Sequence, residues 1–534
     1  MNGAQALVHI LEKNGVDTIF GYPGGANLPI YDALRTSTIK HVLARHEQGA
    51  IHMADGYARV AGRPGICLAT SGPGATNLVT GLANAFLDSV PLIALTGQIS
   101  RDRIGTDAFQ EVDCFNITMP VTKHNELVVH ESELVHAIKS AFYISNSGRK
   151  GPVLLDFPID LLQTEYDWNF DEKIKLDGYN PTIEGNIGQI KRALKAIDRA
   201  ERPIILFGGG IVLSNAVQEF LQFVNTTQIP VIRTLMGTGV ISNTDPLYIG
   251  MVGSHGNNLA NRIIHQDTDL IIAIGTRLGD RAIYNPKQFS KNTKLIHIDI
   301  DPAEIGKNVN VDIPIVGDIK SVLQEWNARL EKKNVGKAKP WIQVETKKTM
   351  LPKQDSAPVM KEIFEVLSKV DKKLSISTDV GRHQMWANHY CTNPNHLPLI
   401  TSGGLGTMGF GLPAAIGAWF ADPKNSVVSI SGDGSFSMMM QEFIVASEHN
   451  IPLTVMLLND SRLGMIRELQ TIKYGKRFMS HDLEQSVDYV MLAQAMGGLG
   501  KEVKHSNEIE GAINWALDNQ RPTLICFDLE KISL

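Results

Sequence analysis

Cysteine is scarce in this chain. Its 534 residues include four, Cys67, Cys114, Cys391 and Cys526, all far apart and none in a C-x-x-C pair. That argues against a zinc site or a disulfide framework and fits a reduced compartment. There is no apolar run near membrane-spanning length and no signal-like or Arg-rich leader before the amphipathic pattern of Leu7, Ile10 and Leu11. No membrane partner is therefore expected, and a cytoplasmic location is. Charge of one sign is not in excess either: 51 Lys and Arg against 56 Asp and Glu leave a formal −5. That balance gives no electrostatic basis for binding nucleic acid. No internal repeat stands out from the sequence alone.

What is present is ordinary globular material, 43% hydrophobic and 20% charged, in a length that suits about three domains. Short β-branched runs alternate with helical patterns from the start: Thr18-Ile19-Phe20, His41-Val42-Leu43-Ala44, Ile66-Cys67-Leu68-Ala69, Leu92-Ile93-Ala94-Leu95 and Val153-Leu154-Leu155-Asp156. This rhythm predicts parallel sheets with helices on both faces. A polar stretch from Tyr166 to about Gly185 reads as a linker, and the lysine-rich stretch from Glu331 to about Ser356 as a second. The expected fold class is α/β, three doubly wound parallel-sheet domains over 1–165, 185–330 and 357–534.

The chemistry concentrates in the third segment. Val427 to Ile430 reads as a buried strand that stops at Gly432-Asp433-Gly434-Ser435; a helix is expected over Phe436 to His449, and Leu453 to Leu458 is the next strand, ending at Asn459-Asp460-Ser461. A right-handed β-α-β unit puts both strand ends on one edge of the sheet, so Asp433 and Asn459 are expected to meet. With a backbone carbonyl near Ser461 they form half of a hard oxygen shell, which suits Mg²⁺ completed by phosphate oxygens. A helix start at Ser435 would add N–H groups for a diphosphate. This spacing resembles the metal-diphosphate signature of thiamine diphosphate (ThDP) enzymes. The plain alternative is a tight turn before a helix and a strand-ending Asn.

A second feature is Glu47, in the first turn of a helix expected over Ala50 to Val60. Such a glutamate is commonly only a dipole partner. ThDP chemistry needs one carboxylate, however, to hydrogen-bond the cofactor's ring N1' and support proton removal from C2, and Glu47 is the candidate. Nearly the whole chain then resembles the catalytic subunit of acetolactate (acetohydroxyacid) synthase. The resemblance is carried by Phe20-Gly21-Tyr22-Pro23-Gly24-Gly25-Ala26, Arg45-His46-Glu47-Gln48-Gly49-Ala50, Ser71-Gly72-Pro73-Gly74-Ala75-Thr76-Asn77, Gly105-Thr106-Asp107-Ala108-Phe109-Gln110-Glu111, Thr122-Lys123-His124, Gly404-Leu405-Gly406-Thr407-Met408-Gly409 and Arg462-Leu463-Gly464-Met465.

The resemblance implies pyrimidine-binding, central and diphosphate-binding domains, and an active site completed only in a homodimer, with a tetramer and a small regulatory subunit left open. It implies Glu47, Gln110 and Lys123 as catalytic residues. Gly24, Val380, Arg382, His383, Gly406, Met408, Gly432, Asp433, Gly434, Ser435, Asn459, Ser461, Leu463, Gly464 and Met465 would hold ThDP, and Asp433, Asn459 and Ser461 the Mg²⁺. Phe109, Arg281 and Leu469 would face the 2-keto acid substrates. FAD, structural rather than redox-active, would lie on Arg149, Gly208, Gly209, Gly210, Thr234, Leu235, Arg277, Asp299 and Asp318. Read plainly, Met408 could be core and Lys123 a surface lysine.

The sequence departs from that family at several points. Arg382 stands where Gln is common, Ser254 where Met is usual, and Leu469 where a Trp favours 2-ketobutyrate. A missing indole removes a large shape-selecting surface, so that preference should weaken. The family's longer tail has no counterpart after Leu534, which leaves open the balance between carboligation and protonation of the intermediate. The expected activity is decarboxylation of pyruvate and addition of the hydroxyethyl carbanion to a second 2-keto acid. The alternatives are a related decarboxylase, a carboligase with another acceptor, and an inactive relative.

Overall fold

The computed structural model describes residues 1–283, 286, 289, 293–332, 341–342, 357–391, 399–483 and 487–532. Most of the second expected linker, about 331–356, lies outside them. The chain divides into two compact units: one comprises Met1–Tyr179, Val370–Gln384 and Ile400–Leu534, the other Asn180–Lys369 and Met385–Leu399.

Three six-stranded parallel sheets account for the architecture. The first contains β1 (Thr18–Gly21), β2 (Lys40–Leu43), β3 (Gly65–Ala69), β4 (Leu92–Gln98), β5 (His124–Leu127) and β6 (Pro152–Pro158), in the order β2-β1-β3-β4-β6-β5. The second unit holds β7 (Pro203–Phe207), β8 (Val231–Arg233), β9 (Tyr248–Met251), β10 (Leu270–Ile274), β11 (Lys294–Asp299) and β12 (Ile313–Val316), ordered β12-β11-β10-β7-β8-β9. Returning to the first unit, β13 (Leu374–Thr378), β14 (Ile400–Thr401), β15 (Ser426–Gly432), β16 (Leu453–Asn459), β17 (Leu499–Val503) and β18 (Thr523–Asp528) run β14-β13-β15-β16-β18-β17. The central strands β3, β4 and β6 are buried along their whole length, as parallel strands covered on both faces must be.

The first and third sheets share one strand order. Each reverses direction next to its first strand, between β1 and β3 and between β13 and β15. The middle sheet reverses between β7 and β10, the arrangement of dinucleotide-binding folds. Ligands of open α/β sheets bind at such reversals, beyond the carboxyl ends of the strands, because there the adjoining crossovers leave toward opposite faces and open a crevice.

Within the first unit one core is shared by residues of the first and third sheets. Its centre is the contact between the helices Glu47–Ala61 and Gly411–Ala421. The helices approach this closely because Gly56 lies on the Ala414 carbonyl and Gly417 on the Met53 carbonyl, so a Cβ at either glycine would collide. Fully buried Phe410 meets the edge of the His52 ring at 5.3 Å and the Arg59 guanidinium at 5.4 Å.

The helix expected through Ala50 to Val60, with Glu47 in its first turn, runs over Glu47–Ala61, and His46 is its N-cap, accepting the Gln48 N–H at 3.0 Å. One local outcome differs from expectation. The helix expected over Phe436 to His449 begins at Asp433 and is broken: Asp433–Met439, a 3₁₀ turn Met440–Glu442, then Phe443–Glu448. The break turns the Glu442 carboxylate toward the backbone of Arg45.

Candidate active site

At the reversal between β13 and β15 two strand ends converge. β13 ends before Asp379-Val380-Gly381-Arg382-His383, and β15 runs into Gly432-Asp433-Gly434-Ser435. Asp379 is fully buried and organises this edge, accepting the N–H groups of Val380 at 2.9 Å, Gly409 at 2.8 Å and Gly411 at 3.1 Å. Burial raises its carboxyl to about 6. Ser435 Oγ donates to the Val380 carbonyl at 2.9 Å, tying the two strand ends together.

Asp433 is 3% exposed and accepts backbone N–H groups from Gly434 and Ser461. Desolvation first, and then the negative charge of Asp460, raises its carboxyl to about 6. No cationic side chain among the described residues forms an ion pair with it. A buried carboxylate in that situation is costly unless a cation completes it. Asn459 Oδ1 lies on the same edge and accepts the Ser461 N–H at 3.3 Å. The Ser461 carbonyl accepts the Leu483 N–H at 2.9 Å, which leaves one of its two lone pairs. Among the described residues no group of three or more His, Cys, Asp or Glu could hold a metal. One carboxylate, one amide and one carbonyl is a donor set for Mg²⁺ that also takes phosphate oxygens.

The remaining cradle fits a diphosphate. The His383 ring is buried against Gly381 and Gly432, and a Cβ at Gly432 would lie 3.0 Å from it. Desolvation lowers His383 to about 3, so it is neutral, and its buried Nε2 has no partner among the described residues. A Cβ at Gly434 would lie 2.8 Å from Leu463 and 3.7 Å from the Met408 Sδ-methyl, which places both side chains over the start of the Asp433–Met439 helix. Arg382 is packed on Gly464 and forms ion pairs with Asp460 and, at 3.5 Å, Glu468. In this structure the guanidinium thus joins the β13 end to the β16 loop and the helix Gly464–Tyr474.

Glu47 sits beyond β2. Its Oε2 accepts the Asn77 Nδ2–H at 2.9 Å, and its other oxygen lies over Gly74. Gly72, two residues earlier, packs on Gln110, which holds a positive φ of 62°. Gly24 packs on Thr70, whose hydroxyl accepts the Ala26 N–H at 3.3 Å. The β1 and β3 loops therefore gather Gly24, Glu47, Asn77 and Gln110 at the first sheet's reversal, with Phe109 87% exposed beside them.

Sequence reasoning missed the network that places the Gly406–Met408 segment. Arg59 pairs with Asp55 at 2.6 Å and Asp88 at 2.9 Å; Asp88 also accepts the N–H groups of Gly403 at 3.0 Å and Gly404 at 2.7 Å. Asn84 Oδ1 accepts the hydroxyls of Ser402 and Thr407. Asn84 and Asp88 are more than 300 positions from the segment they hold, and no local pattern signals such a pairing.

Other expected residues fall elsewhere. The Lys123 ammonium donates to the carbonyls of Ile144 and Ser147 at the end of the helix Leu134–Asn146, the usual place for a cation on a helix dipole. It is not gathered with Glu47. Leu469 is 39% exposed on the helix Gly464–Tyr474, and Met465 lies one residue into that helix. In the second unit, Gly208, Gly209 and Gly210 turn out of β7 beside Gly275 at the end of β10, with Gly210 N–H donating to the Gly275 carbonyl at 3.1 Å. Thr234 donates its N–H to Phe207 at 2.9 Å and leads into Leu235. Asp299 ends β11, and Asp318 caps the helix Ile319–Lys332 by accepting the Ser321 N–H at 3.2 Å. Arg277 and Arg281 follow β10; the Arg281 carbonyl accepts the Ser254 N–H at 3.0 Å. Arg149 belongs to the first unit, where it donates to Ser89 at 2.9 Å.

Comparison with known proteins supplies the family. Three family models match in order: the thiamine pyrophosphate enzyme N-terminal TPP binding domain over residues 1–117, the central domain over 190–326 and the C-terminal TPP binding domain over 379–527. A probable acetolactate synthase large subunit of Methanococcus aeolicus is 45% identical over 559 aligned positions, covering 100% of this chain and 93% of the relative. One from Methanocaldococcus jannaschii is 45% identical over 540, covering 98% and 91%. The acetolactate synthase large subunit of Haemophilus influenzae is 41% identical over 530, covering 97% and 92%. Over nearly its whole length, therefore, the chain belongs to the thiamine pyrophosphate enzymes of acetolactate synthase type.

Proposed function

We propose that the enzyme decarboxylates pyruvate and joins the two-carbon unit to a second 2-keto acid, with ThDP held by Mg²⁺ and with FAD as a structural group. The observation that carries this reading is the deeply buried Asp433, which has no cationic partner among the described residues, together with the His383 Nε2, which has no partner among them either. Asp433, Asn459 and the Ser461 carbonyl would hold Mg²⁺; His383, Val380, Arg382 and the Gly432–Ser435 turn would face the diphosphate; Gly24, Gly406 and Met408 would grip the pyrimidine, and Leu463, Gly464 and Met465 would close over it. When bound, ThDP supplies the nucleophilic carbon and the electron sink.

Glu47 holds the proton for the pyrimidine nitrogen. With Oε2 fixed by Asn77, the oxygen over Gly74 is the one that exchanges it. Gln110, Phe109, Arg281 and Leu469 stand as substrate-side residues. The segments 1–165, 185–330 and 357–534 act as pyrimidine, central and diphosphate domains, and Glu47 of one copy serves the diphosphate face of another. FAD would take the crevice of the middle sheet, using Gly208, Gly209, Gly210, Thr234, Leu235, Arg277, Asp299 and Asp318; saturable quenching of flavin fluorescence checks this. The relatives' names as large subunits support a small partner subunit. No described helix is long and apolar enough to cross a membrane, in keeping with a cytoplasmic enzyme.

An NMR time course with ThDP, Mg²⁺, FAD and labelled pyruvate, with and without 2-ketobutyrate, tests the reading. Labelled acetolactate is the expected product. Acetaldehyde alone would make the enzyme a decarboxylase, and untouched pyruvate would overturn the substrate assignment.

A further inference from the structure

Glu442 has no place in the chemistry above, yet it is completely buried. It closes the 3₁₀ turn Met440–Glu442, which continues directly from the Asp433–Met439 helix. Its carboxylate accepts the Arg45 N–H with both oxygens, at 3.2 and 3.1 Å, and the His46 N–H as well. These two residues immediately precede Glu47. From the other side Gly49 packs on Glu442 Oε1 so closely that a Cβ there would collide. The Arg45 side chain is also fixed, donating to the Leu43 carbonyl at 3.0 Å and pairing with Glu448 of the helix Phe443–Glu448. The backbone around the catalytic glutamate is thus gripped by the polypeptide that starts at the metal motif.

We propose that Glu442 is a positioning residue for Glu47, a buried carboxyl group that fixes the entry of the Glu47–Ala61 helix and with it the reach of the catalytic carboxylate. A carboxylate accepting backbone N–H groups is an oriented, charge-assisted contact, stronger and less forgiving in angle than a neutral one. Ionised, it favours the positive end of that helix. The inference rests on the reading in which Glu47 serves the cofactor bound to the partner copy. On that reading Glu442 links the metal end of one active site to the carboxylate of the other through nine residues of chain.

Glu442→Gln keeps the shape, removes the charge and turns an N–H donor toward at least one backbone N–H. We expect kcat with pyruvate to fall at least tenfold while KM for pyruvate and the half-saturating ThDP concentration change less than threefold. Amide hydrogen exchange in the peptide covering 45–48 should quicken while exchange across β13 and β15 stays slow. Gly49→Ala pushes on the same carboxylate from the opposite side and should show the same kcat-selective loss. Glu442→Asp, shorter by one methylene, should recover part of the rate. A folded Glu442→Gln enzyme with kcat within twofold of normal, or a loss confined to ThDP affinity with unchanged exchange at 45–48, would overturn the proposal. If Glu47→Gln itself keeps full activity, the fault lies in the assignment of Glu47; if Glu47→Gln is inactive and Glu442→Gln is not, only the positioning role fails.

Discussion

At the residue scale, the carboxylates at the sheet reversals sit in different surroundings. Glu47 accepts from Asn77 and is partly exposed, whereas Asp433 and Asp379 are buried. Glu47→Gln should leave ThDP binding within a few-fold and lower kcat by about 10²–10⁴, the usual range for a positioned acid-base group; steady-state kinetics beside a ThDP titration checks both. Leu469→Trp should raise the share of mixed product when pyruvate and 2-ketobutyrate compete, read by NMR of the product mixture. Asp156 carries a pH prediction. It is buried with Thr96 Oγ1 at 2.6 Å and Gln98 Nε2 at 3.0 Å, and desolvation raises it from 3.8 to about 6. The folded protein then holds that proton more tightly than the unfolded chain between those values. This contribution to stability is complete below about pH 4 and is lost as pH rises through 6, up to roughly 3 kcal/mol. Unfolding midpoints of Asp156→Asn should slope less over that interval than those of the parent. The residues that could be read from the sequence were those with a local signature, such as Gly432-Asp433-Gly434. Asp379, Asn84, Asp88 and Glu442 could not, because each acts on backbone brought to it from a distant stretch.

At the element scale, the strands were legible because parallel strands covered on both faces are unbroken apolar runs. The helix after Asp433 was misread as continuous, since its apolar spacing survives the 3₁₀ turn and only the tertiary pull on Glu442 reveals the break. The pairing of the helices Glu47–Ala61 and Gly411–Ala421 depends on glycines whose need is invisible in one chain segment. Gly417→Ala sets a methyl against the Met53 carbonyl. It should lower stability by about 1–3 kcal/mol, the usual cost of overpacking, seen as a lower urea midpoint with an unchanged m-value.

At the scale of the whole molecule, the three sheets present three reversals, and the glycine-rich turns of the sequence lie at them. That coincidence made the α/β class readable in advance, whereas the shared strand order of the first and third sheets left no matching trace in residue identity. Binding at these edges should stabilise the fold: ThDP with Mg²⁺ at a hundred times its Kd adds about 2.7 kcal/mol, and a chelator should reverse the rise in Tm. The discontinuity of the first unit has a consequence during synthesis. The small-residue face around Gly56 leaves the ribosome with the first sheet, but its partner, the helix Gly411–Ala421, is made roughly 360 residues later. At about 5–20 residues per second that is an interval of roughly 20–70 s, during which the Glu47–Ala61 helix has no lid. The nascent chain is then a natural client for a chaperone that shields apolar surface, and slowing translation through the middle unit should lower the soluble yield of the whole enzyme.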